Sequence, residues 1–273
     1  MVFPACDATR DQARFRRLAQ QPETFDLEGI PVHGPYASRR PGNCTKSYNK
    51  LQLHTSMQPK VNLHGVLIAD VVASRSTAEL RSLLNEKLRV ASIAQLDEQL
   101  IRVPYAVTAG DEFQVVSARL ERVPKLILDL RRRLLPFRLR VGVGIGMVEG
   151  QIRRPVNRIA GEAFEYARKA IVEIKAHRKY PTLTLFHSNR ERFDRVANLM
   201  YGLHDTLMRR TTTKQWETIA MYLIKNRVDY TAKALEIDRS TASRNLRRGF
   251  FWQMEETVLV MEEFIRESFI DCT

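Results

Sequence analysis

Three carboxylates of this chain stand where packing alone does not call for them. Val66-Leu-Ile-Ala-Asp70 reads as a buried strand that carries one acidic residue at its C-terminal end. Asp111 and Glu112 follow Gly110 within Val103-Pro-Tyr-Ala-Val-Thr-Ala-Gly-Asp-Glu-Phe-Gln114, at what reads as the tip of a β-hairpin. A tight turn presenting Asp111 beside Asp70 would make a pair able to hold Mg²⁺, or Mn²⁺ in its place, together with a nucleotide's phosphates. Without a cation such a pair would repel itself. The structural alternative is that Asp70 caps the following helix and Glu112 is a solvated hairpin charge.

A second set of chemically able residues lies near the C-terminus. Tyr230-Thr-Ala-Lys-Ala-Leu-Glu-Ile-Asp-Arg-Ser-Thr-Ala-Ser-Arg-Asn-Leu246 has helix-turn-helix spacing. Ala232 is the small residue where two helices would cross, Leu235 and Ile237 bracket the turn, and Ser240 is expected to cap the second helix. Ala242 and Leu246 would face inward. That leaves Thr241, Ser243, Arg244, Asn245, Arg247 and Arg248 outside, the side-chain types that reach phosphates and base edges. Thr241, Arg244 and Asn245 are best placed for bases, and Arg247 and Arg248 for the backbone. Glu236 stands at the turn position where Gly is usual, and helical units of this spacing can also serve protein contacts. Between Thr211 and Phe250, eight Lys and Arg outnumber four acidic residues, which favours DNA.

The elements that must position these residues follow from periodicity. Leu63–Val72 is a strand. Ser76-Thr-Ala-Glu79 reads as a capping box opening a helix that carries Leu80, Leu83, Leu84, Leu88 and Ala91. A helix near Val123–Leu135 leads into Arg138-Leu-Arg-Val-Gly-Val-Gly-Ile-Gly-Met147, a strictly alternating strand with one apolar face and three glycines on the other. Those glycines mark close approach either of a phosphate or of a helix, and packing is the commoner cause. A long helix from Val156 to His177, with Ala163, Ala167, Ala170 and Ile174 as its stripe, precedes a last strand at Thr182–Phe186. The pattern predicts an α+β fold in three regions. Residues 1–60 form a poorly ordered N-terminal region, 61–200 a mixed sheet with helices, and 201–273 an all-α helix-turn-helix domain.

Composition bounds the setting. At 273 residues, 44% hydrophobic and 27% charged, the chain has ordinary globular chemistry, but its net charge of +13 favours a polyanionic partner. Eight arginines at 131, 132, 133, 138, 140, 153, 154 and 158 have Glu149 as their only acidic neighbour between 131 and 158. Phosphates explain that imbalance better than a solvated face does. Cys6, Cys44 and Cys272 show no pairing or ligand spacing and read as free thiols of a reducing cytoplasm. No apolar run is long enough to span a membrane, and the histidines show no ligand spacing.

Four ordered motifs carry a family resemblance: Ala69-Asp-Val-Val-Ala-Ser-Arg75, Thr108-Ala-Gly-Asp-Glu-Phe-Gln114, Gly142-Val-Gly-Ile-Gly146 and Ala160-Gly-Glu-Ala-Phe-Glu-Tyr-Ala-Arg168. Over roughly residues 62–268 the chain resembles the SatD family of bacterial proteins. Its first part is similar, more distantly, to the ferredoxin-like palm of class III nucleotidyl cyclases and GGDEF diguanylate cyclases. The resemblance implies that Asp70 is the first Mg²⁺ ligand and Asp111 or Glu112 the second, these three being the catalytic set of an active cyclase. It implies Val71, Arg75 and Arg168 as contacts to a purine nucleotide, Arg168 standing where GGDEF domains place a phosphate-binding Lys. It also implies pairing with a second copy. Glu165 and Lys169 stand where class III cyclases carry Asn and Arg, and Ala160 where SatD and GGDEF proteins usually carry Asp. Two functions follow as expectations: a regulator that binds DNA and a nucleotide with Mg²⁺, or a nucleotidyl cyclase acting on an NTP.

Overall fold

A computed structural model describes residues 63–72, 77–153, 155–176 and 182–271 of the chain. The chain divides into two units, Met1–Ser56 and Met57–Thr273, and the described residues all belong to the second. The expected N-terminal region and the three cysteines lie outside them.

The strands form where alternation demands them. β1 (His64–Val71), β2 (Ala106–Ala109), β3 (Glu112–Val116), β4 (Leu139–Gly146) and β5 (Thr184–His187) make one sheet in the order β2-β3-β1-β4-β5. All neighbours are antiparallel except β4 and β5, which are parallel. With α1 (Ala78–Asp97) and α2 (Val123–Arg133), the first four strands are two interleaved βαβ units, the ferredoxin-like connectivity. α3 (Glu162–Ala176) is the crossover that sets β5 parallel to β4. The fold is α+β with a mixed sheet, as the pattern predicts.

Five helices follow or flank the last strand: α4 (Glu191–Arg210), α5 (Thr213–Lys225), α6 (Val228–Ala234), α7 (Arg239–Arg248) and α8 (Phe251–Phe269) complete the chain after α3. The boundary expected at residue 200 falls inside α4, and α8 returns to the sheet. Met261, Ile265 and Phe269 of α8 enter the same core as Leu67, Phe113, Val143 and Phe186 of the strands. Phe193 of α4 stacks on Phe264 at 5.1 Å and meets Phe269 edge-on at 4.8 Å, contacts that add about 0.5–1.5 kcal/mol each beyond their buried area. A pattern of successive helices cannot reveal that the last one packs on a sheet 120 residues earlier, roughly the span from Val143 to Phe264. Among the described residues no helix is long and apolar enough to cross a membrane.

Local signals shifted some element ends. Thr77, not Ser76, is the N-cap of α1, its hydroxyl accepting from Leu80 N–H. The long helix expected from Val156 is broken: a 3₁₀ turn at Val156–Arg158 ends, and α3 starts only at Glu162 after Gly161 at φ 134°, which L residues rarely adopt.

The glycines of β4 are explained by α3. A Cβ on Gly142 would stand 2.5 Å from the Ala167 carbonyl and 2.6 Å from Ile171 N, and one on Gly144 would collide with the Ala163 carbonyl. The backbone of α3 at Ala163, Ala167 and Ile171 therefore lies directly on the strand's backbone. Gly144→Ala should cost about 3 kcal/mol or more, because a backbone carbonyl cannot rotate away as a side chain can. Chemical denaturation measures it, and a loss below about 1 kcal/mol would show that α3 yields freely.

On the other side, α2, β5 and α4 enclose a polar knot. Arg131 donates to Asp205 at 3.2 Å and to Thr184 at 2.7 Å, and Leu183 N–H donates to Asp205 at 2.9 Å. His204 is buried beside them, with neither ring nitrogen hydrogen-bonded. Burial pulls its imidazole below the ordinary histidine value; Asp205 opposes the fall and Arg131 adds to it. The fold thus holds His204 neutral, and the unfolded chain takes up the proton first. Stability should be lost as pH falls from about 6.5, and His204→Leu should flatten that loss in urea titrations between about pH 7 and pH 5. His64, also lowered by burial, retains its share. Identical slopes for the variant and the natural chain would remove His204 as the cause.

Candidate functional site

Strand parity decides which carboxylates meet. The register pairing Ala69 with Phe113 brings the next residues, Asp70 and Glu112, to neighbouring places on the face that α3 covers. Asp111 stays in the two-residue turn with Gly110, whose φ is 63°, and is half-buried. The acidic pair is therefore Asp70 with Glu112, one residue beyond the pairing the hairpin motif first suggests. Side chains alternate along a strand, and Glu112 is the strand residue with the parity of Asp70.

Three cations close on this pair. Arg140, directly opposite Asp70 on β4, donates through Nε to Oδ1 at 2.9 Å. Lys175 of α3 reaches Asp70 Oδ2 at 2.9 Å and Glu112 Oε2 at 3.5 Å. Arg168, two helical turns earlier, donates through Nη1 to both oxygens of Glu112 at 2.8 Å, and Thr108 donates to Glu112 Oε1 at 3.0 Å. Burial alone would raise the Glu112 carboxyl; Arg168, Thr108 and Lys175 outweigh it and hold it below the ordinary glutamate value. Two carboxylates against three cations leave one surplus positive charge. The repulsion expected of a bare pair does not arise.

This donor set does not fit a resident Mg²⁺. The carboxylate oxygens already accept from cationic side chains, and Lys175 occupies the bridging place. Among the described residues no group of three His, Cys, Asp or Glu side chains could hold a metal ion. The pair and its cations are the site's chemistry.

The other expected contacts are distributed unevenly. The side chain of Val71 belongs to the apolar core on the opposite face, and Arg75 lies outside the described residues. Arg168 is in place, lining an open depression with Ile159, Ala160, Gly161, Phe164, Glu165 and Lys169. Lys175 is absent from the sequence expectation, although it lies seven residues after Arg168 and so on the same helical face, and Arg140 enters it only as one of the clustered arginines and not as a partner of Asp70.

The arginine cluster is not the uncompensated patch its local sequence suggests. Arg131 pairs with Asp205, Arg132 and Arg133 with Asp129, Arg133 also with Glu98, and Arg140 with Asp70. Those acids lie outside the 131–158 window in sequence and arrive by folding. Arg153 donates to Gln151, Arg154 lies outside the described residues, and burial together with the positive charges of Arg209 and Arg131 lowers Arg138 from its ordinary value.

The C-terminal helices sort their residues clearly. α6 ends with Ile237 N–H bonded to the Ala232 carbonyl and Glu236 N–H to that of Lys233, the six-to-one and five-to-two bonds of a Schellman end. Glu236 takes φ 55° there, supplying without glycine the left-handed residue the turn requires. Asp238, not Ser240, precedes α7 as its N-cap residue. Ala242 and Leu246 are buried; Ser243, Arg244, Arg247 and Arg248 are exposed, and Thr241 is half-buried. Asn245 differs from expectation: its amide donates to Thr218 of α5 at 3.1 Å, so it fixes α7 rather than facing outward. Ring contacts among Tyr222, Phe251 and Trp252 at 4.8–6.0 Å complete this end.

The SatD family model matches residues 65–247. No curated protein matches the chain. A solved structure, the regulator of polyketide synthase expression from Bifidobacterium adolescentis, matches at 15% identity over 76% of this chain and 82% of that one, with a TM-score of 0.28. Superposition of that degree carries no weight for fold or role.

Asp70→Asn should lower stability by about 1–2 kcal/mol, since it leaves Arg140 and Lys175 apposed; their partial exposure keeps the cost below that of a fully buried pair. Thermal and urea unfolding report it. A stabilised variant would mean the carboxylate is held against repulsion after all.

Proposed function

The chain belongs to the SatD family, and from that premise we propose that it is a regulator that binds DNA through α7. The observation that carries the reading is the division of labour on this helix. Ala242, Leu246 and Asn245 hold it against its neighbours, while Ser243, Arg244, Arg247 and Arg248 stand free of the fold's interior. A rigid helix with guanidinium groups along its outer face matches the dimensions and donor chemistry of a DNA major groove. The net charge of +13 would add non-specific attraction to the backbone.

A second reading concerns a nucleotide. The depression at the start of α3 has Arg168 and Lys169 on its rim, and the site beside it carries a surplus positive charge. Both support binding of a purine nucleotide's phosphates, with DNA affinity changing if the ligand distinguishes two arrangements of the chain. Calorimetry with the four NTPs tests it; heats absent for all four would end this reading and leave the first intact.

For the first reading, fluorescence anisotropy with DNA from upstream of the protein's own coding region, titrated with KCl, is the test. Arg244→Ala should cost about 1–3 kcal/mol at a preferred site and narrow the gap to other sequences. Arg248→Ala should weaken all sequences alike and reduce the salt slope by about one unit. Asn245→Ala should lower the melting temperature while leaving relative site preference unchanged. Absence of salt-sensitive binding, or an Arg244 variant with full affinity and preference, would overturn α7 as the reading element.

A further inference from the structure

We propose that Lys175 is the built-in cation of the Asp70–Glu112 pair, its ammonium standing where a divalent ion would otherwise bridge the two carboxylates. Nζ lies 2.9 Å from Asp70 Oδ2 and 3.5 Å from Glu112 Oε2. The remaining oxygens are taken by Arg140 and by the Nη1 of Arg168. Both carboxylates are nearly inaccessible, with side-chain exposures of 6% and 11%, while Lys175 is 40% exposed and covers them from the solvent side.

Three physical consequences follow. A tethered ammonium competes at a local concentration that no millimolar ion in solution matches. A divalent ion entering beside it would raise the cluster's surplus charge from one to three, at distances where partial burial leaves charges poorly screened. Mg²⁺ also requires near-octahedral oxygen ligands at about 2.0–2.1 Å, and it would obtain protein oxygens only by breaking existing ion pairs. The place between the two carboxylates is therefore closed to divalent ions by Lys175, with Arg140 and Arg168 holding the oxygens around it. Whatever the neighbouring depression binds does so without a metal bridge to Asp70 and Glu112. This inference is independent of DNA binding.

The position of Lys175 is enforced by the fold. The alanine stripe of α3 rests on the β4 glycines, and this fixes how far Lys175 stands above the sheet. Removing the ammonium while keeping the stem should convert the pair into a divalent-ion site.

The test is titration of the full chain with MnCl₂, read by loss of the free Mn²⁺ electron paramagnetic resonance signal and by melting temperature against KCl of matched ionic strength. The natural chain should show no saturable Mn²⁺ binding. Lys175→Met should bind one Mn²⁺ per chain with a saturable rise in melting temperature, and Lys175→Met combined with Asp70→Asn should lose both. Lys175→Gln is the second variant if the methionine form does not fold. Saturable binding to the natural chain that Asp70→Asn abolishes would overturn the proposal. So would folded Lys175 variants that bind no Mn²⁺. Should neither variant fold, the natural-chain titration decides alone.

Discussion

The contact of α3 with the backbone of β4 governs the rest of the structure. Glycine at 142, 144 and 146 leaves Arg140 as the one side chain on that face of the strand, and alanine at 163 and 167 reduces the facing side chains of the helix to single methyls. The helix then lies closer to the sheet than ordinary side chains permit. Helix and strand axes are held in one relation, because a methyl added at Gly142 or Gly144 meets the backbone of α3. Arg168 and Lys175 project from that helix, and Asp70, Glu112 and Arg140 from the strands beneath it. Had β4 carried valines at the even positions, the helix would ride higher and the 2.8–2.9 Å ion pairs could not form. The site's electrostatics thus rest on three missing Cβ atoms.

Within that geometry the charges settle a question that a list of acidic residues leaves open. Two strand-end carboxylates can hold a metal or can be held by cations. The structure brings three cations within 3.5 Å, and burial, which alone would raise the Glu112 carboxyl, is outweighed by them. The same principle runs through the arginine-rich stretch. Arg131, Arg133 and Arg140 find acids brought from elsewhere in the chain and Arg132 finds one in its own helix, so a local surplus of charge is not a measure of free positive surface. α7 contrasts with it: Arg244, Arg247 and Arg248 remain exposed after folding.

Local pattern was sufficient for much of the fold. The alternation of β4, the alanine stripe of α3 and the buried pair Ala242 and Leu246 each follow from short-range periodicity, and each stands where its period placed it. What did not follow is non-local. The sheet register that joins Glu112 rather than Asp111 to Asp70 depends on where the turn ends, a shift of one residue that inverts the face. The docking of α8 on the sheet core depends on Phe193, Phe264 and Phe269 meeting across the chain. Asn245 looks like a surface residue by helical spacing, yet Thr218 on another helix turns it inward. Lys175 was within reach of periodicity, but its meaning needed the carboxylates opposite.

The return of α8 has a consequence for any signal passing between the two ends of the molecule. The helices that carry α7 are not a bead on a linker. α4 leaves the sheet core directly into α5 through a single capped bend at Thr211 and Thr212, and Thr211 donates to the Gly249 carbonyl at 3.2 Å, where α7 gives way to α8. Two helices therefore join the core to the module of α5, α6 and α7, α4 entering and α8 leaving, and the two junctions meet at a buried hydrogen bond. Rotation of α7 about either connection alone would strain the other. α4 and α8 share the cluster of Phe193, Phe264 and Phe269, whose close packing resists displacement of one helix against the other. A close-packed aromatic contact of this kind has few alternative arrangements. The aromatic seam between α4 and α8, and not a flexible linker, is what ties the C-terminal helices to the core.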